Sequence, residues 1–525
     1  MGKVDSASVF NELKATFESD VTKPLAWRKN VLRQLAKMLE ENHEELSAAI
    51  VKDLGGGPLR GTLEMMMIEE TYGAIKKLDK WAADRPAPWG NPLFEVPFLD
   101  KRVIRPTPKG VVLIISPWNF NVTLCLQPLI DVIAAGNCAL IKPSDMSTAS
   151  SALIETLVAR YLPPEAVRVV QGGVAETTEL LELPWDHIVY TGSTSVGKIV
   201  MAAASKHLTP VTLELGGKNP TFIHRSAKLK LAAERTVLVK TANAGQWCVD
   251  ADYVLIDEQV AMEFAQLCVA TASGLLGDAA AQRGDGLDVS RKWYNRIIST
   301  KQAERLKKML DEDHGGKVLM GGPAEVDVAA RFIPFTIVYD PKPDSLLMTE
   351  EIFGPILVIK SVSGVDEAIG IMKRVCPTPL ALYVYSQDSA YTEKILTKCT
   401  SGSVGVNTTC EQSIGPCSPF GGVGQSGMGA YHGKFGFDEF SHLRPILYRT
   451  TAIPVCFFPQ QLWPVNNQFA AFVPPLVVKL FVTGLHTLIP AWARTVGKAT
   501  IGALLAAAVA AAANVWVVEP LKQAM

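Results

Sequence analysis

Short apolar runs alternate with helical segments between residues 108 and 215, and this alternation narrows the folds open to the chain. The apolar runs are Val111 to Ile115, Ala139 to Ile141, Val167 to Val170, His187 to Tyr190 and Val211 to Leu213. Helical periodicity occurs between them, near 122 to 135, 149 to 161 and 195 to 205. A short, fully apolar run is typical of a strand that is buried on both faces. The pattern therefore predicts an α/β fold with a doubly wound parallel sheet.

Further elements are predicted on either side of this alternation. Residues 8 to 50 place apolar side chains at helical spacing, which predicts a pair of packed helices, and a third helix is expected over 60 to 83. Prolines follow, and residues 98 to 105 predict an exposed strand. A second alternation of strands and helices, from about 235 to 410, predicts a second α/β domain.

Length, charge and cysteine content limit the class of protein. A chain of 525 residues is expected to form two or three substructures. Its 51 Lys and Arg residues balance 52 Asp and Glu residues, which argues against a nucleic-acid partner. Nine cysteines without a Cys-x-x-Cys pair indicate reduced thiols in a cytosol-facing protein, and neither they nor the histidines have metal-ligand spacing, so no metal is predicted.

The last 75 residues differ in kind from the rest. Residues 499 to 518 contain no charged side chain over 20 positions, about the length of one transmembrane helix. Because nine of the twenty are alanine, a buried or oligomer-packed helix is the alternative. The amino terminus lacks a signal peptide. We therefore expect a membrane-associated protein whose catalytic body faces the cytosol, on the endoplasmic reticulum or the mitochondrial outer membrane.

Three short motifs carry the residue types that thioester chemistry needs. Cys248 ends Asn243-Ala-Gly-Gln-Trp-Cys248, Glu214 opens Glu-Leu-Gly-Gly-Lys218, and Asn119 ends Ser-Pro-Trp-Asn119. A thiolate that attacks a carbonyl needs hydrogen-bond donors for the oxyanion, and hydrolysis of the resulting thioester needs a base. The motifs indicate a nucleophile, a base and an amide donor. Alone, Cys248 would be more simply explained as a small buried side chain.

A second group of motifs indicates a dinucleotide site. Gly192-Ser193-Thr-Ser-Val-Gly197-Lys198 joins a predicted strand to a helix, where backbone N–H groups and the helix dipole bind phosphate. Ile199 stands where a nucleotide-triphosphate loop needs Ser or Thr for magnesium, so a kinase or ATPase is disfavoured. A turn without a ligand is the alternative. Lys142 and Asp145, after another strand, suit ribose hydroxyls, and Glu351 with Phe353 suits a sugar and a flat ring.

Together these motifs resemble the aldehyde dehydrogenase superfamily, specifically its class 3 or fatty aldehyde dehydrogenase branch, over residues 8 to 450. The resemblance implies NAD or NADP as cofactor, an aldehyde substrate and a homodimer. It also implies a division of the chain into four parts. These are an NAD(P)-binding domain at 1–85 and 108–215, a bridging element at 86–107 and 430–450, a catalytic domain at 216–429, and the apolar tail at 451–525.

The resemblance also assigns roles to residues. Cys248 matches the nucleophile, Asn119 the oxyanion donor and Glu214 the base that hydrolyses the thioester. The cofactor contacts are the pyrophosphate turn at Gly192, Ser193 and Gly197, the ribose contact at Lys142, and the nicotinamide-side contacts at Glu351 and Phe353. The apolar tail resembles the membrane anchor of fatty aldehyde dehydrogenases, which favours long, apolar aldehydes as substrates.

Three positions depart from the family pattern. Trp247 is bulky beside Cys248, Asn121 replaces a proline on the segment expected to line the substrate pocket, and Asp145 stands where Glu is more common in the ribose turn. The first two favour an alternative in which the enzyme acts on one aldehyde of a specialised biosynthetic pathway, such as an apocarotenoid or polyketide aldehyde. A catalytically weak membrane scaffold is a second alternative.

Overall fold

The computed structural model describes residues 5–57, 61, 64–87, 100–284, 294–416 and 418–449. These residues form two compact units. The larger unit lies within Met1–Ala83 and Pro106–His442, and the smaller one within Asp84–Arg105 and Leu443–Met525. All of the candidate site residues belong to the larger unit. The four-part division expected from the sequence stays a prediction.

The helices of the described residues cover both of the regions that were expected to be α/β. In chain order they are α1 Ser6–Glu18, α2 Leu25–Glu41, α3 His43–Leu54, α4 Met67–Ala82, α5 Thr123–Ala135, α6 Thr148–Tyr161, α7 Val174–Leu181, α8 Thr194–Ser205, α9 Leu229–Thr241, α10 Glu258–Leu276, α11 Ala279–Arg283, α12 Thr300–Asp311, α13 Leu346–Thr349, α14 Val365–Val375, α15 Ser389–Lys398 and α16 Gly433–Glu439.

The strands form three sheets. In chain order they are β1 Arg85–Pro86, β2 Lys101–Pro108, β3 Val111–Ile115, β4 Cys138–Lys142, β5 Val167–Val169, β6 His187–Gly192, β7 Val211–Leu215, β8 Pro220–Ile223, β9 Tyr253–Asp257, β10 Lys317–Met320, β11 Thr336–Tyr339, β12 Ile356–Val362, β13 Ala381–Tyr385, β14 Ser403–Val406, β15 Gly427–Met428 and β16 Ser441–Tyr448.

The first large sheet confirms the parallel α/β fold. Its strand order is β15-β7-β6-β3-β4-β5, and every neighbour pair is parallel except the edge pair of β15 with β7. The side chains of β3 and β4 are buried along their whole length. That burial explains why the apolar runs of the sequence predicted these strands to within a residue or two.

The amino-terminal helices correct one prediction. Residues 8 to 50 contain three helices, α1, α2 and α3, rather than a pair. The chain turns between α1 and α2 through Asp20, whose φ is 65°, and α2 begins directly after Pro24. Asn42, with a φ of −122°, separates α2 from α3 by one non-helical residue. The apolar spacing continues through Asn42, and for that reason the sequence pattern hid the break between α2 and α3.

The second large sheet carries the nucleophile segment. Its order is β10-β11-β12-β9-β8-β13-β14, parallel except for the edge strand β10. It has its own buried apolar cluster, which includes Phe222, Phe264 and Phe335. Cys248 lies between α9 and β9, so the segment that bears it enters the central strands of this sheet.

The smaller unit contains a third sheet, in which β2 lies between β1 and β16. Arg105 Nε donates to Asp84 Oδ1 at 2.7 Å within this unit, and Arg105 Nη2 donates to Tyr448 Oη at 2.9 Å. The strand expected over 98 to 105 is β2, displaced by three residues at each end. The predicted transmembrane helix at 499–518 lies outside the described residues.

One helix of the described residues is long and apolar enough to cross a membrane by length and composition, namely α10. Its side chains Phe264, Cys268 and Ala272 are nevertheless fully buried in the core of the second sheet. The packing of α10 therefore accounts for its apolar composition.

Candidate active site

Four of the predicted site residues lie where strands of the first large sheet end. Asn119 follows β3, Lys142 ends β4, Gly192 ends β6 and Glu214 lies at the end of β7. Ligands of parallel α/β sheets bind outside the carboxyl ends of the strands. The register of β6 with β7 places Gly192 opposite Leu215 and Thr191 opposite Glu214. The structure thus gathers at one edge the motifs that the sequence placed at strand ends.

Contacts of Asn119 join the two large sheets. Its side chain is 3% exposed, and its Nδ2 donates to the backbone oxygen of Gln246 at 3.2 Å. Asn243 Nδ2 donates in turn to the backbone oxygen of Asn119 at 2.9 Å. The residues on either side of Asn119 extend the junction, because Trp118 meets Phe353 edge-on and Phe120 meets Trp247. The expected amide donor is therefore held next to the nucleophile segment.

The turn before Cys248 has an unusual backbone. Asn243, Ala244 and Gly245 have φ values of 50°, 49° and 68°, so three successive residues are left-handed. Non-glycine residues populate this region rarely and at a cost of order 1 kcal/mol or more each. A Cβ at Gly245 would lie 2.2 Å from the backbone oxygen of Gly354, which makes glycine necessary there. Strain of this kind persists only when surrounding contacts hold the backbone in place.

Gln246 supplies many of those contacts and is fully buried. Its Nε2 donates to the backbone oxygens of Asn243 and Arg296, each at 3.0 Å, and its Oε1 accepts the Ile298 N–H at 2.9 Å. In the sequence, Gln246 stood out only as part of the cysteine motif. The sequence did not reveal its role, because two of its partners, Arg296 and Ile298, lie about fifty residues away.

Cys248 is half-buried, and the carboxyl groups of Glu214 and Glu351 lie close enough to act on its thiol. Burial, together with the negative charges of Glu214 and Glu351, raises the pKa of the Cys248 thiol above its ordinary value. The backbone N–H groups of Cys248 and Val249 oppose that shift, since they hydrogen-bond to the sulfur. The resting group is a thiol, so a base must take its proton before it attacks a carbonyl.

Glu214 has the environment of such a base. It is 2% exposed, and neither of its carboxyl oxygens has a hydrogen-bond partner among the described residues. Burial raises the pKa of Glu214 well above the ordinary value. A buried carboxyl group without partners is costly and calls for an explanation. Glu214 lies close enough to the Cys248 thiol for its negative charge to raise the pKa of that cysteine. This proximity offers an explanation.

The glycine-rich segment 419–433 lies beside Glu214. Gly427 pairs with Glu214 across β15 and β7. A Cβ at Gly427, whose φ is 133°, would lie 1.8 Å from the Leu213 oxygen, so no larger residue fits this approach. At the other end of the segment, Phe420 and Tyr431 form a two-residue antiparallel bridge.

The expected pyrophosphate turn is the amino terminus of α8. Ser193 is its N-cap, and the side chain accepts the Val196 N–H at 3.4 Å. The first backbone N–H groups of a helix have no intrahelical partner and attract anions. A Cβ at Gly192 would lie 2.2 Å from Tyr190 Oη, and one at Gly197 would lie 2.7 Å from Leu215 Cδ2. The two glycines thus permit close packing around the turn.

The expected ribose contacts form a charged group. Lys142 is 5% exposed, and burial lowers the pKa of its ammonium group. The carboxylates of Asp145 and Glu176 oppose this lowering and so lie close enough to attract the charge. Glu176 also accepts the Gly173 N–H at 2.8 Å. It is a neighbour that the sequence did not reveal, since it begins a different helix.

Glu351 and Phe353 line a narrow crevice next to the nucleophile segment. Its other walls include Gly217, Trp247 and Asp252. Burial raises the pKa of Glu351 to about 7, while the Gly217 N–H and the charges of Lys218 and Arg305 lower it. Phe353 has a φ of 49°, a strained backbone at the position expected to face a flat ring.

The two predicted pocket residues differ in placement. Trp247 is half-buried, its ring centroid 4.9 Å from that of Phe120, and it also lines the crevice. Asn121 is 2% exposed, and its Nδ2 donates to Ser150 Oγ at 2.8 Å and Asp53 Oδ2 at 3.3 Å. Asn121 is therefore tied to the beginning of α6, and any effect on a pocket would pass through Phe120.

Comparison with known proteins identifies the family. The aldehyde dehydrogenase family model matches residues 2–446. Aldehyde dehydrogenase family 3 member A2 of Rattus norvegicus is 40% identical over 439 residues, 83% of this chain and 87% of that protein. The chain belongs to the aldehyde dehydrogenase family. The Mus musculus protein named aldehyde dehydrogenase, dimeric NADP-preferring, is 40% identical over 446 residues, 85% of this chain and 94% of that protein.

A solved structure agrees with this assignment. The substrate-bound AldH of Staphylococcus aureus superposes with a TM-score of 0.80 at 34% identity, covering 86% of this chain and 95% of that one. This aldehyde dehydrogenase is accordingly an oxidoreductase that uses NAD or NADP. The donor set fits such a cofactor, since a helix amino terminus, an ammonium group beside two carboxylates and Glu351 suit its phosphates and riboses.

Among the residues that the structure describes, no group of His, Cys, Asp and Glu side chains could hold a metal ion.

Proposed function

We propose that this aldehyde dehydrogenase oxidises apolar, long-chain aldehydes to carboxylic acids through a thioester on Cys248. The observation that carries the proposal is the buried, unpartnered carboxyl group of Glu214 within electrostatic reach of the Cys248 thiol. Structural roles do not account for a buried acid that forms no hydrogen bond with any of the described residues. A base for thiol activation and thioester hydrolysis does.

The first step is addition of the sulfur to the aldehyde carbon. Glu214 takes the thiol proton, the sulfur attacks, and the aldehyde oxygen becomes an oxyanion on a thiohemiacetal. Asn119 Nδ2 and a backbone N–H near Cys248 stabilise that charge. Donors of this kind each contribute about 3 kcal/mol to the transition state. The Gln246 oxygen, at 3.2 Å from Asn119 Nδ2, fixes the orientation of the amide.

Oxidation and hydrolysis follow. A bound NAD(P) would supply the hydride acceptor for the thiohemiacetal carbon, so that Cys248 would then carry an acyl group. The candidate residues for holding NAD(P) are Gly192, Ser193 and Gly197 at the phosphates, Lys142 and Asp145 at one ribose, and Glu351 with Phe353 at the other end. Glu214, after it has released the thiol proton to solvent, removes a proton from water, which attacks the thioester; the C–S bond breaks, the acid leaves, and the Cys248 sulfur regains a proton from Glu214.

An apolar substrate is supported by the aromatic side chains around the nucleophile. Trp118, Phe120, Trp247 and Phe353 form two ring contacts across the junction of the two sheets. Rings in such a position favour an alkyl chain over a polar one. The apolar sequence after residue 450 also favours substrates that partition into membranes.

The test is an aldehyde panel with the purified protein, followed by absorbance of the reduced cofactor. We expect kcat/KM to rise with the chain length of aliphatic aldehydes and turnover to be lost in Cys248→Ala. Activity on one unusual aldehyde alone would favour the alternative of a dedicated biosynthetic step. Cofactor binding without turnover on any aldehyde would favour the scaffold.

Trp247 is the residue that favours the dedicated-step alternative, because its indole packs against Phe120 beside the thiol. We expect Trp247→Thr to widen the range of aldehydes oxidised, with branched or aromatic ones gaining most. A pocket contact of one to a few methylene groups changes kcat/KM by about 10- to 200-fold. Unchanged relative rates across the aldehyde panel would show that Trp247 does not shape the substrate pocket.

Membrane attachment through residues 499–518 is part of the same proposal. We expect the full-length protein to remain with membranes after carbonate extraction. Leu505→Arg with Val509→Arg should release it, since each charge near a helix centre costs about 3 kcal/mol on insertion. Release of the unaltered protein by carbonate would contradict the anchor. The homodimer implied by the resemblance is testable on the detergent-solubilised protein by light scattering.

A further inference from the structure

Three consecutive residues, Gly217 to Asn219, connect the nucleophile segment to the segment that bears Glu351. They follow Glu214 in the chain after Leu215 and Gly216. We refer to Gly217–Asn219 as the bridging segment and to Glu350–Phe353 as the ribose segment. Each residue of the bridging segment bonds to one of the two loops or to both.

Asn219 fixes the nucleophile loop. Its Nδ2 donates to the backbone oxygen of Cys248 at 2.8 Å and to that of Asp250 at 2.9 Å. Its Oδ1 accepts the Ala381 N–H at 2.9 Å, and its backbone oxygen accepts the Asp252 N–H at 3.0 Å. The side-chain amide thus makes three hydrogen bonds, two to the nucleophile loop and one to the first residue of β13. The nucleophile loop cannot move without breaking them.

Gly217 and Lys218 fix the ribose segment. The Gly217 N–H donates to Glu351 Oε1 at 3.1 Å, and Lys218 Nζ donates to the backbone oxygen of Glu350 at 2.8 Å. A Cβ at the preceding Gly216 would lie 2.5 Å from both carboxyl oxygens of Glu351. The Glu351 carboxyl group therefore rests directly on the backbone of the bridging segment.

Asp252 closes the connection. Lys218 Nζ donates to Asp252 Oδ2 at 2.8 Å, with both side chains buried. The Ile352 N–H approaches the two Asp252 oxygens at 3.2 and 3.3 Å. Arg305, on α12, adds a contact, because its Nη1 donates to the backbone oxygen of Glu351 at 3.1 Å. Lys218 is the group that touches both Asp252 and the ribose segment.

We propose that Lys218 is a positioning residue that sets the carboxyl group of Glu351 for the cofactor, and that it does so by joining Asp252 to the ribose segment. This inference rests on the proposed function, in which Glu351 contacts the nicotinamide ribose. A buried ammonium group that bonds a backbone oxygen and a carboxylate at once has one geometry, so its loss frees the Glu350 oxygen and removes the nearest cation from Asp252, the carboxylate that accepts the Ile352 N–H. Misplacement of a binding group by about 1 Å can cost up to about 100-fold.

A matched control is available in Lys240. Its side chain is fully buried and belongs to the same charged cluster, with Nζ 2.8 Å from Asp250 Oδ2 and 3.8 Å from Asp252 Oδ1. Among the described contacts, Lys240 bonds to no atom of the ribose segment. Lys240→Met and Lys218→Met therefore remove equally buried charges, and only Lys218→Met also removes a bond to Glu350.

The experiment is a double-mutant cycle on the full-length protein, read as the Kd of NAD by fluorescence titration. We expect Lys218→Met and Glu351→Gln each to raise Kd by about 10- to 100-fold. The double variant should bind no more weakly than the weaker single variant, because Lys218 acts through Glu351. Lys240→Met should leave Kd within about threefold of the unaltered protein. In Lys218→Met, KM for NAD should change more than kcat at saturating NAD.

Other results would overturn the inference. Additive effects in the double variant, or an equal rise of Kd in Lys240→Met, would show that Lys218 acts on the fold in general. An unchanged Kd of NAD in Glu351→Gln would show that Glu351 does not contact the ribose. Turnover by the unaltered protein would still test the proposed reaction at Cys248 separately. Should Lys218→Met not fold, Lys218→Gln keeps a donor for the Glu350 oxygen. It should then raise Kd by less than Glu351→Gln, and a larger rise would contradict the proposal.

Discussion

The cofactor turn at Gly192–Gly197 and the nucleophile loop at Asn243–Asp252 are built in opposite ways. The turn is local, since a strand ends, Ser193 caps α8 and the helix begins. The loop contains three left-handed residues and is held by Asn119, Asn219, Arg296 and Ile298, all distant in sequence. From this comparison we expect phosphate binding at the turn to tolerate local change, whereas the chemistry at Cys248 should depend on contacts made across the molecule.

The largest effect should come from the nucleophile itself. Cys248→Ala removes the atom that forms the thioester, and we expect kcat to fall by at least about 10³-fold. The Kd of NAD should stay unchanged, because the cofactor turn does not depend on the loop. Cys268→Ala, in the core of the second sheet, is the matched control and should retain turnover. Equal losses of kcat in Cys248→Ala and Cys268→Ala would contradict a specific role for the nucleophile loop.

The pH dependence of turnover should report Glu214. Its pKa is raised by burial, and the base acts in the ionised form, so kcat should increase as pH rises through that pKa. Glu214→Gln should lower kcat by about 10²- to 10⁴-fold and abolish the increase. Rates measured across pH for both proteins decide this. A decrease of kcat with rising pH in the unaltered protein would contradict a base at this position.

Asn119→Ala should reduce kcat by about 10²- to 10³-fold with little change in the Kd of NAD. The physical reason is the loss of one donor to the oxyanion. Asn121→Ala is the matched control, because its amide is equally buried but bonds to Asp53 and Ser150. We expect it to lower the free energy of unfolding and to leave kcat within about tenfold. A similar loss of kcat in both variants would show that the segment matters only as a whole.

The smallest effect should be in the cofactor turn. Ser193→Ala removes the N-cap of α8 and should lower the free energy of unfolding by about 1 kcal/mol. The Kd of NAD should rise by only a few-fold, since backbone N–H groups bind the phosphates. Urea unfolding and fluorescence titration measure the two quantities, with the exposed Ser195→Ala as control. A loss of cofactor binding as large as that expected for Glu351→Gln would show that the turn is not locally built.

The same contrast explains what the sequence could predict. The strands β3 and β4 were visible because both faces are buried, which requires an unbroken apolar run. Cys248, Glu214 and Asn119 stood on short motifs at strand ends, so local pattern was enough to select them. The structure brings Asn119 to within hydrogen-bond distance of Gln246, next to the cysteine motif.

The contacts that support those residues were beyond local pattern. Lys218 and Asp252 pair across 34 residues of chain, and Arg305 reaches the ribose segment from a third element. Nothing in the sequence near any of them indicates the partner. The break between α2 and α3 was missed for a related reason, because apolar spacing continues through Asn42.

The most direct test of the central claim is intact-protein mass spectrometry of Glu214→Gln after mixing with NAD and an aliphatic aldehyde. If Cys248 forms the thioester and Glu214 hydrolyses it, the variant should release about one equivalent of reduced cofactor and accumulate one acyl group on Cys248. The mass increase should match the acyl group and disappear when Cys248→Ala is added. Undiminished turnover by Glu214→Gln without an adduct, or an adduct that persists without Cys248, would contradict the account.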